Sequence, residues 1–175
     1  MTREQLEHVL RAAAAIVSEK SLVVVGSQAI LLALADPPPS LLESREVDLY
    51  PALHPERADL IDGAIGAMSS FDETFGYHAD GVGPETAVMP ADWMKRASLH
   101  YIGDVTAICP EIHDLAVSKA VAGRDKDADF VRVLLKERMI EIDTLLDRIR
   151  SLDPAQHPTA HVLAWAQRRA QESKQ

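Results

Sequence analysis

Ser21-Leu22-Val23-Val24-Val25 is a short apolar run that stops at Gly26-Ser27 and passes straight into the apolar-rich stretch Gln28 to Ala35. β-Branched side chains pack well on a pleated surface, and an unbroken apolar run of this length reads as a strand buried in a sheet. Such a strand needs partners on both sides, so the chain has to build an α/β core around it. The run from Gln28 to Ala35 reads as a helix leaving the strand, broken by Pro37, Pro38 and Pro39. The turn between them has two readings. It could hold phosphate against backbone N–H groups, the Ser27 hydroxyl and the positive end of a helix dipole. It could equally be a plain turn, with Gly26 for backbone freedom and Ser27 as an N-cap.

A second strand is expected over Ser44 to Tyr50, where Arg45, Val47 and Leu49 alternate with Ser44, Glu46 and Asp48. The period of two puts Glu46 and Asp48 on one face, where they could share one hard cation such as Mg²⁺. Two carboxylates buried side by side without a cation repel each other. The alternative is a solvated strand face with Arg45 and Arg57 nearby.

Helical spacing marks the remaining elements. Thr2 with Gln5 reads as a capping box ahead of Leu6, Val9, Leu10, Ala13, Ile16 and Val17, and Leu60, Ile61, Ala64, Ile65 and Met68 repeat the pattern. Between Phe71 and Pro110, Gly76, Gly81, Gly83 and Gly103 with runs such as Thr86 to Met89 and Ala97 to Ile102 predict short antiparallel strands and hairpins. From His113 onward the spacing is helical: a segment closing near Gly123, one holding Phe130, Val133 and Leu134, one over Ile142 to Ile149, and a last helix after Pro154 and Pro158. The expected layout is an α/β core over 1–110 and a C-terminal helical segment over 111–175 packed on it as one compact unit. Lys119 lies on the first of these helices, where its ammonium could neutralise a triphosphate or be an ordinary surface lysine. In Arg124-Asp125-Lys126-Asp127, one of the aspartates is expected to cap the next helix.

Composition narrows the function. Apolar residues are 47% and charged residues 26%, as in ordinary globular proteins. With 27 acidic against 18 basic side chains, the surface as a whole repels polyphosphate, which argues against broad nucleic-acid binding but not against a local site where a cation reverses the field. A single cysteine, Cys109, excludes an internal disulfide, no apolar stretch is long enough to span a bilayer, and the charged N-terminus lacks a signal-peptide pattern; a cytoplasmic protein with no membrane partner is expected. His157 and His161 are spaced to bind a metal together on one helix, although a solvated face explains them too. Trp93, Trp165 and the three tyrosines are too scattered for a base-stacking platform.

Taken together, Val24-Val25-Gly26-Ser27-Gln28-Ala29, Glu46-Val47-Asp48 and Asp114-Leu115-Ala116-Val117-Ser118-Lys119 resemble the nucleotidyltransferase superfamily. Ser44 to Pro51, His54-Pro55-Glu56, Phe75-Gly76-Tyr77, Gly81-Val82-Gly83-Pro84, Pro90 to Trp93 and Ala122 to Phe130 look like a bacterial family of nucleotidyltransferase-like proteins related to the AbiEii toxins. The resemblance covers about residues 20 to 150. It implies a mixed sheet flanked by helices, with Gly26, Ser27 and Lys119 holding a nucleoside triphosphate, Glu46 and Asp48 binding Mg²⁺ or Mn²⁺, and Asp127 contributing to catalysis. A third carboxylate on an adjacent strand is implied, with Asp80 the best placed and Asp104 or Glu85 as alternatives. The implied reaction transfers a nucleoside monophosphate to a hydroxyl on a tRNA, a protein or a small molecule, and the related families imply a toxin–antitoxin pair with a cognate partner. The superfamily usually carries Asp-x-Asp where this chain has Glu46-Val47-Asp48. The added methylene moves the first carboxylate outward by about 1.5 Å. A catalytically silent nucleotide- or partner-binding protein is the alternative.

Overall fold

The computed structural model describes residues 1–173. The chain divides into two compact units, one formed by 1–86 with 97–110 and the other by 87–96 with the residues from Glu111 onward.

The first unit opens with α1 (Arg3–Val17), started by the expected capping box: Thr2 accepts from the Gln5 N–H, and the Gln5 side chain accepts from the Thr2 N–H. Leu6, Val9, Leu10, Ala13 and Val17 are buried, and Ile16 at the edge of the stripe is half-buried. The strands are β1 (Ser21–Val25), β2 (Glu46–Pro51), β3 (His78–Gly81), β4 (Ser98–Ile102) and β5 (Val105–Cys109). They form one mixed sheet in the order β3-β2-β1-β5-β4. β1 is antiparallel to β2 and parallel to β5, β2 is parallel to β3, and β4 is antiparallel to β5.

One face of this sheet is Leu22, Val24, Val47, Leu49, Ala79, Ala107 and Cys109, all fully buried. Helix α3 (Ala58–Ile65) covers that face: a side chain at Gly81, the register partner of Leu49, would run into the Ala58 carbonyl. Helix α1 packs on α3 and on the strands. Each large side chain withdrawn there contributes about 1.5 to 3 kcal/mol. The opposite face carries Glu46, Asp48, His78 and Asp80, all partly accessible.

The middle of the chain matches the expected hairpins in one place, where Ala97 to Ile102 supplies β4, antiparallel to β5 around Gly103, and departs from them elsewhere. Ser70–Phe75 is a short helix, α4, capped by Ser69, whose side chain accepts from the Asp72 N–H, and closed by Gly76. β3 joins the sheet parallel to β2, a pairing that needs a crossover, and α3 and α4 supply it. Thr86 to Met89 forms no strand; a single 3₁₀ turn at Pro84–Thr86 takes its place, started by the ring of Pro84.

In the second unit, α5 (Ile112–Ala122) ends where Gly123 turns left-handed at φ 63°, as expected from the sequence. It packs against α6 (Asp125–Lys136), α7 (Ile142–Arg150) and α8 (Thr159–Glu172). Residues 114–120 of α5 are all buried, Asp114 among them. Arg96 holds Asp114 with two bonds of 2.8 and 3.0 Å, and Arg148 stands 3.6 Å away. Burial still pushes the Asp114 carboxyl above its ordinary range, outweighing the pull of Arg96. Among the described residues, no helix is long and apolar enough to cross a membrane. His157 precedes α8 and His161 lies within it, so the two do not share a helix face, because Pro158 starts the helix between them.

Candidate metal and nucleotide site

β1 ends where Gly26 takes φ 70° and ψ −166°, a conformation open essentially to glycine alone. A Cβ at Gly26 would occupy the space of the Asp48 carboxylate, so that carboxylate lies directly against the turn. The register explains the approach: Asp48 pairs with Val25, the last residue of β1, and its side chain rises beside the chain's exit. Ser27 starts a single 3₁₀ turn (Ser27–Ala29) and makes no capping bond, so its hydroxyl is not the N-cap considered above. The α-helix that follows, α2 (Ile30–Ala33), has four residues. A dipole that short is weak, so any hold on phosphate at this turn rests on local N–H and hydroxyl groups. Gln28 is 1% exposed, and among the described residues neither end of its amide has a hydrogen-bond partner.

Across the parallel pair, Glu46 stands opposite His78 and Asp48 opposite Asp80. The period of two therefore brings four polar side chains to one face of adjacent strands. One ligand atom each from Glu46, His78 and Asp80 lie within 4.8 Å of one another. Donors bound to one ion at about 2.0 to 2.2 Å stand no more than roughly 4.4 Å apart, so small side-chain movements close this set on a cation. Two carboxylates and an imidazole suit a divalent metal. Partial burial, then the charge of Glu46, raises the Asp80 carboxyl above its ordinary range, with His78 opposing.

His78 is held from behind. Its Nδ1 lies 3.1 Å from Asp72 Oδ1, and Asp72 in turn accepts from the Met68 N–H at 3.1 Å and faces Arg45 at 3.4 Å. The Met68 N–H, above all, holds the Asp72 carboxyl below its usual range, with His78 and Arg45 adding to it.

Lys119 and Asp127 belong to the second unit. Lys119 is only 6% exposed, so it is no surface lysine. Its Nζ lies 3.4 Å from Asp127 and 5.4 Å from the centre of the Phe130 ring. Asp127 is 1% exposed and accepts from the Arg124 N–H and guanidinium at the start of α6, which makes it the capping aspartate. Burial pushes its carboxyl up, but Arg124 and Lys119 together overcome this and hold it below its ordinary range. Of the two alternatives to Asp80, Asp104 pairs with Lys20 at the turn between β4 and β5, and Glu85 sits in the 3₁₀ turn after β3.

No local pattern in the sequence marks His78, Asp72 or Gln28 as site residues. The His78-Ala79-Asp80 spacing repeats the period of Glu46-Val47-Asp48, and it becomes informative only once the strands are known to be neighbours.

The family described as "Nucleotidyltransferase of unknown function (DUF6036)" matches residues 4–166, and the chain belongs to it. No curated protein and no solved structure matches the chain.

Proposed function

We propose that this member of a nucleotidyltransferase family transfers a nucleoside monophosphate from a nucleoside triphosphate to a hydroxyl acceptor, with Mg²⁺ or Mn²⁺ held by Glu46, Asp48 and Asp80. The supporting observation is that these three carboxylates share one sheet face, with Asp48 against the Gly26 turn. In this reading the N–H groups and hydroxyl at Gly26-Ser27 bind the triphosphate. The carboxylates orient the cation, which supplies positive charge to the phosphates when bound. The acceptor oxygen attacks the α-phosphorus, the bond to the bridging oxygen breaks, pyrophosphate leaves, and the acceptor's proton passes to a nearby carboxylate or water. The roles of Lys119 as a phosphate ligand and of Asp127 as the residue that positions it follow from the family resemblance and belong to the same proposal.

The acceptor, a tRNA or a protein, and a cognate toxin or antitoxin partner follow from the AbiEii-like resemblance and belong to the same proposal. A cytoplasmic setting belongs to the same proposal and rests on the single cysteine of the sequence, Cys109, which is free and buried.

The test is incubation of the protein with each labelled triphosphate, Mg²⁺ or Mn²⁺ and a bacterial lysate. Label should pass to one class of macromolecule, and Asp48→Ala should abolish the transfer while leaving the fold intact. Glu46→Asp restores the commoner pattern and separates two cases: an adapted Glu46 loses activity, whereas in a silent binder shortening it restores a trace. A folded wild-type protein that neither transfers label nor binds any metal–triphosphate by calorimetry would overturn the reading.

A further inference from the structure

We propose that Glu46, His78 Nε2 and Asp80 form a mixed nitrogen and oxygen site for a divalent first-row transition metal, with His78 as the ligand that selects such an ion over Mg²⁺. The inference deepens the functional reading and rests on it only where the two share Glu46 and Asp80.

The ring of His78 is aimed by its surroundings. An ionised carboxylate can only accept, so the 3.1 Å contact with Asp72 puts the ring proton on Nδ1. In the neutral ring, Nε2 then carries a lone pair, and it lies 3.6 Å from Asp80 Oδ1. That spacing is long for a hydrogen bond and ordinary for two ligands of one ion. With Glu46 also within 4.8 Å, three electron-rich atoms meet, an arrangement that a cation among them stabilises. Asp72 is itself held by the Met68 N–H and by Arg45, so the imidazole cannot easily turn away. A carboxylate behind a histidine is the usual outer shell of a metal-bound imidazole, because it fixes the tautomer and raises the ligand's basicity.

The donor set decides the metal. Mg²⁺ takes oxygen ligands and gives up water reluctantly, whereas imidazole nitrogen favours Zn²⁺, Co²⁺ and their neighbours. A histidine opposite Glu46 is therefore a specificity element.

The full chain, stripped with chelator, is titrated with Co²⁺, Zn²⁺, Mn²⁺ and Mg²⁺ by calorimetry, and the visible absorption of Co²⁺ is followed. Co²⁺ and Zn²⁺ should bind at least about tenfold more tightly than Mg²⁺. His78→Asn should weaken Co²⁺ about tenfold or more and change its spectrum, with Mg²⁺ affinity moved less than about twofold. Asp72→Asn, which leaves the sheet untouched, should weaken Co²⁺ about tenfold and carries the test should His78→Asn fail to fold. If His78 is instead a protonated partner of Asp72 and Asp80, the folded variants will bind Co²⁺ as wild type does, or lose Co²⁺ and Mg²⁺ equally, and the proposal is overturned. Label transfer with Mg²⁺ alongside unchanged Co²⁺ affinity in the variants removes this site and leaves the transferase reading standing. A His78-dependent Co²⁺ site in a protein that binds no triphosphate does the reverse.

Discussion

Gly26 and Asp80 show how tightly single residues constrain this site. Gly26 has no room for a methyl group and sits at φ 70°, so Gly26→Ala imposes backbone strain and displaces the Asp48 carboxylate. Strain of this kind costs about 1 to 3 kcal/mol, and the denaturation midpoint should fall accordingly while triphosphate binding drops with it. A variant as stable as wild type would show that the turn relaxes. Asp80 makes a prediction of the opposite sign. Its carboxyl titrates above the unfolded value, so the fold favours the protonated form. The stability this residue contributes is full below about pH 3.9 and is lost as the pH rises through the raised value. In metal-free protein, Asp80→Asn should therefore raise the melting temperature at pH 7, with the gain fading towards pH 3.5. A gain that is equal at both pH values would place the cause outside the carboxylate. Glu46 and Asp48 were legible in the sequence because alternation along one strand is a local pattern. His78 was not, because a histidine beside an aspartate acquires meaning only from the strand it faces.

The same limit holds for whole elements. α1, β1, β2 and α5 to α8 followed from periodicity, capping residues and breakers, all of which act within a few residues. β3 did not: it has four residues, of which Ala79 alone is fully buried, and such a segment contains no record of its partner. At the element scale, the link between α5 and α6 is the buried pair Lys119 and Asp127, 3.4 Å apart. Asp127→Asn keeps an oxygen that can accept from the Arg124 N–H but removes the anion facing a buried ammonium, and should cost about 3 kcal/mol in chemical denaturation at pH 7. Because the Asp127 carboxyl titrates below its unfolded value, its contribution is present above about pH 3.9 and is lost as the pH falls through the lowered value. The difference between wild type and variant should therefore shrink in acid. A variant indistinguishable from wild type at pH 7 would show that water replaces the pair.

For the molecule as a whole, the formal charge of −9 opposes any polyphosphate ligand at long range. Without divalent metal, the association rate of a fluorescent triphosphate should rise as salt is increased from about 0.01 M to 0.15 M, since the screening length shrinks from about 30 Å to 8 Å. A rate that falls with salt would reveal a local basic funnel strong enough to override the net charge. By itself, the sequence determined the longer helical segments, the two central strands and the shared face of Glu46 and Asp48, because each follows from side-chain spacing along one stretch of backbone. Only the tertiary structure decided that β3 runs parallel to β2, that Asp80 and His78 stand beside Asp48 and Glu46, and that Lys119 is buried. Those outcomes depend on hydrogen-bond register and packing between segments far apart in the chain, and no local pattern encodes which distant segment will supply the partner.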